Sequence, residues 1–485
     1  MKKGHLIISD RWGNERKAYW GNGYQARTFD GRRSILPGYV ADNRRELDSG
    51  TRTELMRKAR YMKKNSGLSR AMAIAIRDYA IGPGIFPIPL TEDDGWNEAA
   101  LQWFHEWAKI CDVSGKLSFW EIQRQRSWLK FWDGDSFTLQ TSSAAGWAQL
   151  QLIRAHNCGN FDVDPDKKWV DGVQLDRVNR PRNYRFRMGD ERYITIPAPL
   201  VRHSHLIEDT DQVRGVTCLF FALNNEHDVH DLLTMEKDAV KNNARIARII
   251  YNESGEVEDE ERGHFLKTAN TETNETLLSE DVYGAEIPYL KNGNKMEQWT
   301  PDRPSSTFTG FLGFLGRMIT QGTGMPFEFV WERDKLKGPS QRGVLDQVDR
   351  ACDFWRQSEI RDTSRDFVYA LGKAIDTGEL PPIEGWWRHE CVAGAPRISI
   401  DKGRDSREDR ENIKTALDTF KAYYARQGKY WKTEIRQRAK EARYINEVAV
   451  EFGIDRAEIM QLSPNDSGKE AVEELLTKSQ SEDDE

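Results

Sequence analysis

The sequence predicts a mainly helical α+β fold, and three observations carry that prediction. Helical periodicity dominates the stretches 51–132, 218–251, 305–320, 342–375 and 405–460, while a block from 136 to 196 switches to period two. Two helical patterns, Cys218–Tyr251 and Ser305–Thr320, flank an acidic insert of weak periodicity, an order that reads as a helical hairpin around a polar excursion. At 485 residues the chain exceeds one ordinary core, so two to four structural regions are expected.

Each element follows from local signals. Residues 1–50 are polar and rich in Gly, Arg and Asp without a sustained period, and read as an arm. From Thr51 one helical pattern runs to the stop at Gly82-Pro83-Gly84, followed by helices over Trp96–Cys111 and Ser118–Trp132. Strands are predicted at Ser136–Gln140, Trp147–Arg154, Val170–Leu175, Tyr184–Arg187 and Tyr193–Ile196, divided by Asp-Gly, Asn-Arg-Pro and Gly-Asp turn signals. His203 and His205 fall in a further strand-like run. In the helix Cys218–Tyr251 acids lie early and Arg245 and Arg248 late, as the macrodipole favours. The insert 253–300 offers a strand pair near Glu286–Leu290 and Met296–Trp299. In Ser305–Thr320, Gly310, Gly313 and Gly316 recur at every third position. They weaken the helix, so a close-packed neighbour is expected on that face. The loop Trp331–Gln341 leads to a long helix, Arg342–Ile375. The segment 405–460 is helical with breaks near Gln427-Gly428 and Gly453, and the chain ends in an acidic tail.

Composition narrows the function. A mean hydropathy of −0.74 with 31% charged residues describes a surface-rich protein, and its 16 Trp, 15 Tyr and 20 Phe supply cores and interfaces for an elongated, self-associating subunit. No apolar run reaches membrane-span length, and the N-terminal apolar run is too short for a signal core. Five scattered cysteines (Cys111, Cys158, Cys218, Cys352, Cys391) form no CxxC pair and fit a reducing cytoplasm. The net charge of −7 argues against tight gripping of nucleic acid except by a local patch.

Catalytic and metal patterns are weak. His203-x-His205 with His227 and His230 is the nearest metal constellation, against a simpler reading as two surface or interface pairs. Asp162, Asp164 and Asp166 resemble the start of a calcium loop, but Lys167 and Val173 occupy the positions that require Gly and Glu. Asp133-Gly134-Asp135 offers two carboxylates for metal-assisted hydrolysis, although a tight turn explains it more simply. No phosphate loop or GxSxG occurs, so neither an enzyme nor a cofactor is expected. The basic cluster Arg57, Lys58, Arg60, Lys63 and Lys64 reads as a solvated or neighbour-paired helix face, with phosphate contact as the alternative.

Several segments in collinear order resemble the lambda-like portal proteins of tailed bacteriophages. They are Arg57–Gly84, Trp132–Gln140, Val170–Phe186, Ile196–Thr217 (with His203, Gln212, Arg214 and Gly215), Phe311–Val330 with Ser340-Gln341-Arg342, and a weaker match at Arg397–Asp401. The similarity spans about Thr51 to Phe452. The chain departs from it at Gly338-Pro339-Ser340-Gln341-Arg342 and in the N-terminal arm.

The resemblance implies a ring, typically of twelve copies, at one capsid vertex, with double-stranded DNA entering and leaving through its centre. It implies a portal-type layout: arm 1–50, α+β wing 51–216, first stem helix 217–252, clip 253–304, second stem helix and connection 305–330, tunnel loop 331–341, long helix and wing return 342–404, helical crown 405–462 and acidic tail 463–485. In that layout Gly310, Gly313 and Gly316 would pack the stem. Lys335, Lys337 and Arg342 would face the DNA channel. Implied partners are further copies of the chain, DNA without sequence preference, the terminase large subunit, head-completion or adaptor proteins, and the major capsid or scaffold protein. Location would be the virion, with assembly in the host cytoplasm. The alternatives are another structural virion protein, such as a minor capsid protein or adaptor, or a metal-dependent nuclease.

Overall fold

The fold is α+β and mainly helical, as a computed structural model shows. It describes residues 42–454 except 162, 164–167, 190–191, 246–249, 252–265, 270–275, 283–284, 291–305, 333, 335, 337–338, 394–401 and 427–428, together with 8–9, 15–16 and 459. The chain divides into two units, 1–47 and 48–485. The first holds an antiparallel strand pair, β1 (Ile8–Ser9) and β2 (Glu15–Arg16), and one helical turn, α1 (Asn43–Glu46).

The second unit begins with a correction. The single helix expected from Thr51 is two helices, α2 (Ser49–Asn65) and α3 (Gly67–Ile76). Ser66 divides them because it suits both ends: its N–H closes α2 on the Met62 carbonyl, and its hydroxyl accepts from Ser69 N to open α3. A π-helical turn, Arg77–Ile81, leads to Gly82 and the strand β3 (Ile85–Pro89). Asp93 caps α4 (Asp94–Ile110), and a Ser118/Glu121 capping box starts α5 (Phe119–Asp133).

Gly134 makes the tight connection between a helix and a strand. With φ at +84° it ends α5, and Asp135 then opens β4 (Asp135–Ser142). β4 is the centre of an antiparallel sheet, flanked by β5 (Ala148–Arg154) and β10 (Val201–His205). A four-stranded meander follows in sequence order: β6 (Trp169–Val170), β7 (Val173–Leu175), β8 (Pro181–Arg187) and β9 (Tyr193–Pro197). The strand expected at Val170–Leu175 is thus a hairpin. Asp171 and Gly172 both take positive φ, the backbone of a two-residue tight turn.

Next comes α6 (Leu223–Arg245), then a sheet in the order β11 (Ile250–Tyr251), β14 (Ala285–Leu290), β13 (Thr276–Val282), β12 (Leu266–Ala269). The strand expected at Met296–Trp299 lies outside the described residues. α7 (Ser306–Gln321) packs against α6, and α8 (Phe327–Val330) precedes the 38-residue α9 (Pro339–Asp376). The strand β15 (His389–Ala393) returns to pair with β3, and α10 (Lys402–Lys414), α11 (Phe420–Arg426) and α12 (Trp431–Phe452) follow among the described residues.

Three apolar clusters hold the second unit. Met72 and Ile76 of α3 meet Phe131, Trp132, Leu223, Ile319 and Trp355. Phe104 and Trp107 of α4 meet Phe119 of α5 and Phe367 and Leu371 of α9. Phe137, Val173, Tyr184, Phe186 and Val201 fill the space between the β4-centred sheet and the β6–β9 meander. Each buried aromatic of this kind contributes about 2–3 kcal/mol by leaving water.

Candidate functional site

The segment Gln212–Gly215 closes over the α5–β4 junction. Gly215 N donates to Asp135 Oδ1 at 2.5 Å, and Arg214 Nε donates to Oδ2 at 2.8 Å. The same guanidinium donates to the carbonyls of Ala155 (3.1 Å), Cys158 (3.3 Å) and Asp171, and its centre stands 5.1 Å from the Phe137 ring. Gln212 ties down the loop by accepting from Glu208 N and donating to the Arg214 carbonyl. Glycine is required at both crossing points: a Cβ on Gly215 would lie 2.2 Å from the Gly134 oxygen, and one on Gly134 2.5 Å from the Val216 carbonyl carbon. Burial works to raise the Asp135 pKa, but Arg214 and His203 more than offset it and hold the carboxyl well below the usual range.

This geometry leaves neither aspartate open. Asp133 accepts a bidentate pair from Arg60 at 2.8 and 2.7 Å, with Arg154 at 3.5 Å. Both carboxylates are neutralised by guanidinium groups.

The four histidines separate. His203 Nε2 donates to Asp135 Oδ1 at 2.8 Å, its ring stacked 4.4 Å from Phe137, with His205 4.3 Å further on. His227 and His230 stand on exposed turns of α6 beside Asp231. Asp135, His203 and His205 are the one group of potential metal ligands among the described residues. A dication does not fit there, because Arg214 already holds the same carboxylate. Burial keeps both imidazoles neutral, lowering His203 and taking His205 to about 3.

A second polar nucleus fixes α9. Arg126 Nε donates to Glu359 at 2.7 Å and its Nη1 to Asp366, while Lys130 lies 3.2 Å from Glu359, all four side chains without solvent exposure. Ser204 bonds Asp362, Gln123 bonds Thr363 at 3.0 Å, and Gln140 bonds Asp366 at 3.2 Å. Sequence reasoning missed this set. Its signal was an acid stripe at 359, 362 and 366 on one helical face, matched by Arg126 and Lys130 one turn apart.

The α6–α7 pair carries the remaining candidates. Glu226 accepts from Ser66 and Ser69 and so anchors α6 to the α2–α3 break. Further along, Leu233, Met235 and Val240 of α6 and Phe311, Phe314 and Met318 of α7 are exposed. Of the three spaced glycines, Gly316 faces Phe327, whose ring would lie 2.5 Å from an added Cβ. Gly310 meets nothing within 4 Å, and Gly313 only the end of Arg317 at 3.6 Å. A cleft of about 330 Å³ beside them is lined by Leu68, Val229, Leu233, Leu312, Gly313 and Trp331.

Lys335 and Lys337 lie outside the described residues, as do Asp162, Asp164 and Asp166. Arg342 is exposed in the first turns of α9, which begins earlier than expected, at Pro339. The basic cluster of α2 is divided: Arg57 pairs with Glu54, Arg60 with Asp133, and Lys63 sits over the Trp128 ring. Among the described residues no helix is long and apolar enough to cross a membrane.

A sequence-family model described as "Phage portal protein, lambda family" matches residues 39–333. Among solved structures, the chain is similar to one titled "Virion of native gene transfer agent (GTA) particle", with a TM-score of 0.43 and 13% identity over 76% of this chain and 88% of that one. It is also similar to "Neck of empty GTA particle computed with C6 symmetry" (TM-score 0.42, 14% identity, 76% and 88% covered) and "Neck of native GTA particle computed with C12 symmetry" (0.42, 13%, 77% and 91%). No curated protein matches.

Proposed function

This chain belongs to the lambda family of phage portal proteins, and from that premise we propose that its copies close into a ring, typically of twelve, at one vertex of a capsid. Double-stranded DNA passes through the centre during packaging and ejection. The observation that carries the ring is the flank of α6 and α7. Phe311, Phe314, Met318, Leu233 and Met235 are exposed in the single chain, next to a helix face where Gly310 and Gly313 leave room for another backbone. Monomers rarely leave so many neighbouring large apolar side chains in water without a partner to cover them.

In this reading 51–216, with the end of α9 and β15, is the wing. α6 and α7 are the stem, the sheet β11–β14 the clip, 331–341 the tunnel loop and α10–α12 the crown. Lys335, Lys337 and Arg342 meet the DNA, and the clip docks the terminase large subunit and later head-completion or adaptor proteins. The capsid or scaffold protein surrounds the ring. The role is mechanical: family membership supports a structural protein, and Asp133 and Asp135 are spent on arginines.

Native mass spectrometry and particle images of the purified chain test the reading. Closed rings of about a dozen copies with a central hole are expected, and a monomer at every concentration would overturn it. Deletion of Lys335–Gly338 is expected to leave the ring intact and impair DNA packaging; normal packaging would remove the case for a channel loop.

A further inference from the structure

Away from the stem, a cationic groove runs between the wing sheets and α9. Two clefts, of about 820 and 610 Å³, share Arg202 and Arg365 as common walls. Arg180, Arg182 and Arg361 line the larger cleft and Lys373 the smaller. On α9 the positions 361, 365, 369 and 373 are successive i,i+4 neighbours, so Arg361, Arg365 and Lys373 share one helix face over about 18 Å.

The groove is short of acids to balance these cations. Among the described residues Arg180, Arg182, Arg202 and Arg365 form no ion pair, and Arg361 has only a 3.9 Å approach to Asp362. Asp362 and Asp366 beneath it are bonded to Ser204, Arg126 and Gln140, and Asp376 belongs to Lys373 at 3.4 Å. Asp176 turns its carboxylate onto the backbone N–H groups of Val178 and Arg180. A second observation is independent of charge. Arg202 Nε and His205 Nδ1 are buried and have no hydrogen-bond partner among the described residues, and both side chains line the larger cleft. Buried nitrogens of this kind are almost always bonded in a working protein; Arg202 Nε, always a donor, lacks an acceptor, and His205 Nδ1 lacks a partner whose kind its tautomer sets.

We propose that this groove binds the phosphate groups of a DNA backbone, as a contact surface separate from the tunnel loop. The identity of the polyanion rests on the proposed function; the anion site itself does not. Five of the six cations are guanidinium groups, whose planar fork grips a phosphate through two hydrogen bonds, and a row of cations one helical turn apart suits a repeating anion. Sequence-independent binding follows, because backbone phosphates carry no base information.

The test uses the full chain, a fluorescent 30-base-pair duplex and a salt titration, with native mass spectrometry on the same samples. Replacing Arg182, Arg361 and Arg365 together by Gln is expected to weaken binding at least about tenfold near 0.1 M salt and to shrink the log–log salt slope by about 2.7, from three lost phosphate contacts. Single Arg365→Gln, at an exposed site, is expected to shrink it by about 0.9 and guards against a misfolded triple variant. Unchanged affinity and slope in both variants overturn the proposal. So does binding of a poly-glutamate peptide that depends on these arginines when the duplex does not bind, which would assign the groove to an acidic protein segment. Arginine-dependent DNA binding by a chain that never forms rings would sink the ring and leave the groove standing.

Discussion

Replacing Arg214 by Met removes the donor that holds the α5–β4 junction closed, and its cost follows from the bonds lost. The guanidinium is about 2% exposed and bonds Asp135, Ala155, Cys158 and Asp171. Breaking a buried ion pair from one side costs about 3–5 kcal/mol, because the other charge stays behind undissolved. Three carbonyls lose a donor as well, which puts the expected loss near the top of that range, at about 5 kcal/mol. Against a total stability of about 5–15 kcal/mol this is severe. Urea unfolding followed by Trp fluorescence measures it, with Trp132 and Trp355 both in the neighbouring core. Arg214→Lys keeps the charge but not the fork and should lose less. The exposed Arg57→Met, which breaks only the pair with Glu54, should leave the midpoint unchanged. A cycle with Asp135→Asn should show coupling above about 1 kcal/mol. An Arg214→Met midpoint within about 1 kcal/mol of the parent, or strict additivity in the cycle, would refute the clamp.

Gly215→Ala should destabilise as strongly as Arg214→Met, since its Cβ meets the Gly134 backbone at 2.2 Å, and a soluble variant with an unchanged melting profile would contradict that contact. Gly316→Leu should lower the stability of the single chain through collision with Phe327, whereas Gly313→Leu should spare it and disrupt only ring closure, as size-exclusion and melting measurements would separate. His205 titrates near 3 in the folded chain against about 6.5 unfolded, so the folded state binds fewer protons between those values. The stability present above about pH 6.5 is therefore lost as pH falls towards 3, by up to about 1.4 kcal/mol per pH unit, and His205→Gln should flatten that slope in melts from pH 7 to pH 4. An unchanged slope would place the acid sensitivity elsewhere.

Most helices and the strands of 136–196 are legible from periodicity alone, and the caps that the structure shows at Ser118 with Glu121 and at Asp93 agree with it. Breaks set by a single residue were harder. Ser66 divides a continuous helical pattern without Pro, and Asp171-Gly172 reverses a run that reads as one strand. β3 has no counterpart in the sequence reading; its run Ile85–Pro89 holds two prolines, which a strand tolerates at the edge of a two-stranded pair such as β3–β15. Collinear motif order revealed Gln212, Arg214 and Gly215 as a group. Their partners, Asp135, Ala155 and Asp171, are brought together only by tertiary folding. The same holds for Arg126 with Glu359, which are far apart in the chain and ordinary in composition.

α9 is fastened unevenly along its length. At about 1.5 Å per residue its 38 residues extend some 57 Å, with Val348, Cys352 and Trp355 buried in one core, Glu359, Asp362 and Asp366 bolted into the interior from the middle onward, Phe367 and Leu371 in a second core, and only the first turns, with Arg342, in solvent. Such a beam is clamped over most of its span and overhangs only by its first turns. A sideways push on that overhang meets the apolar seat of Val348 and Cys352 first, and what passes it becomes torque on the charged bolts, whose bonds are directional in a way that the apolar seat is not.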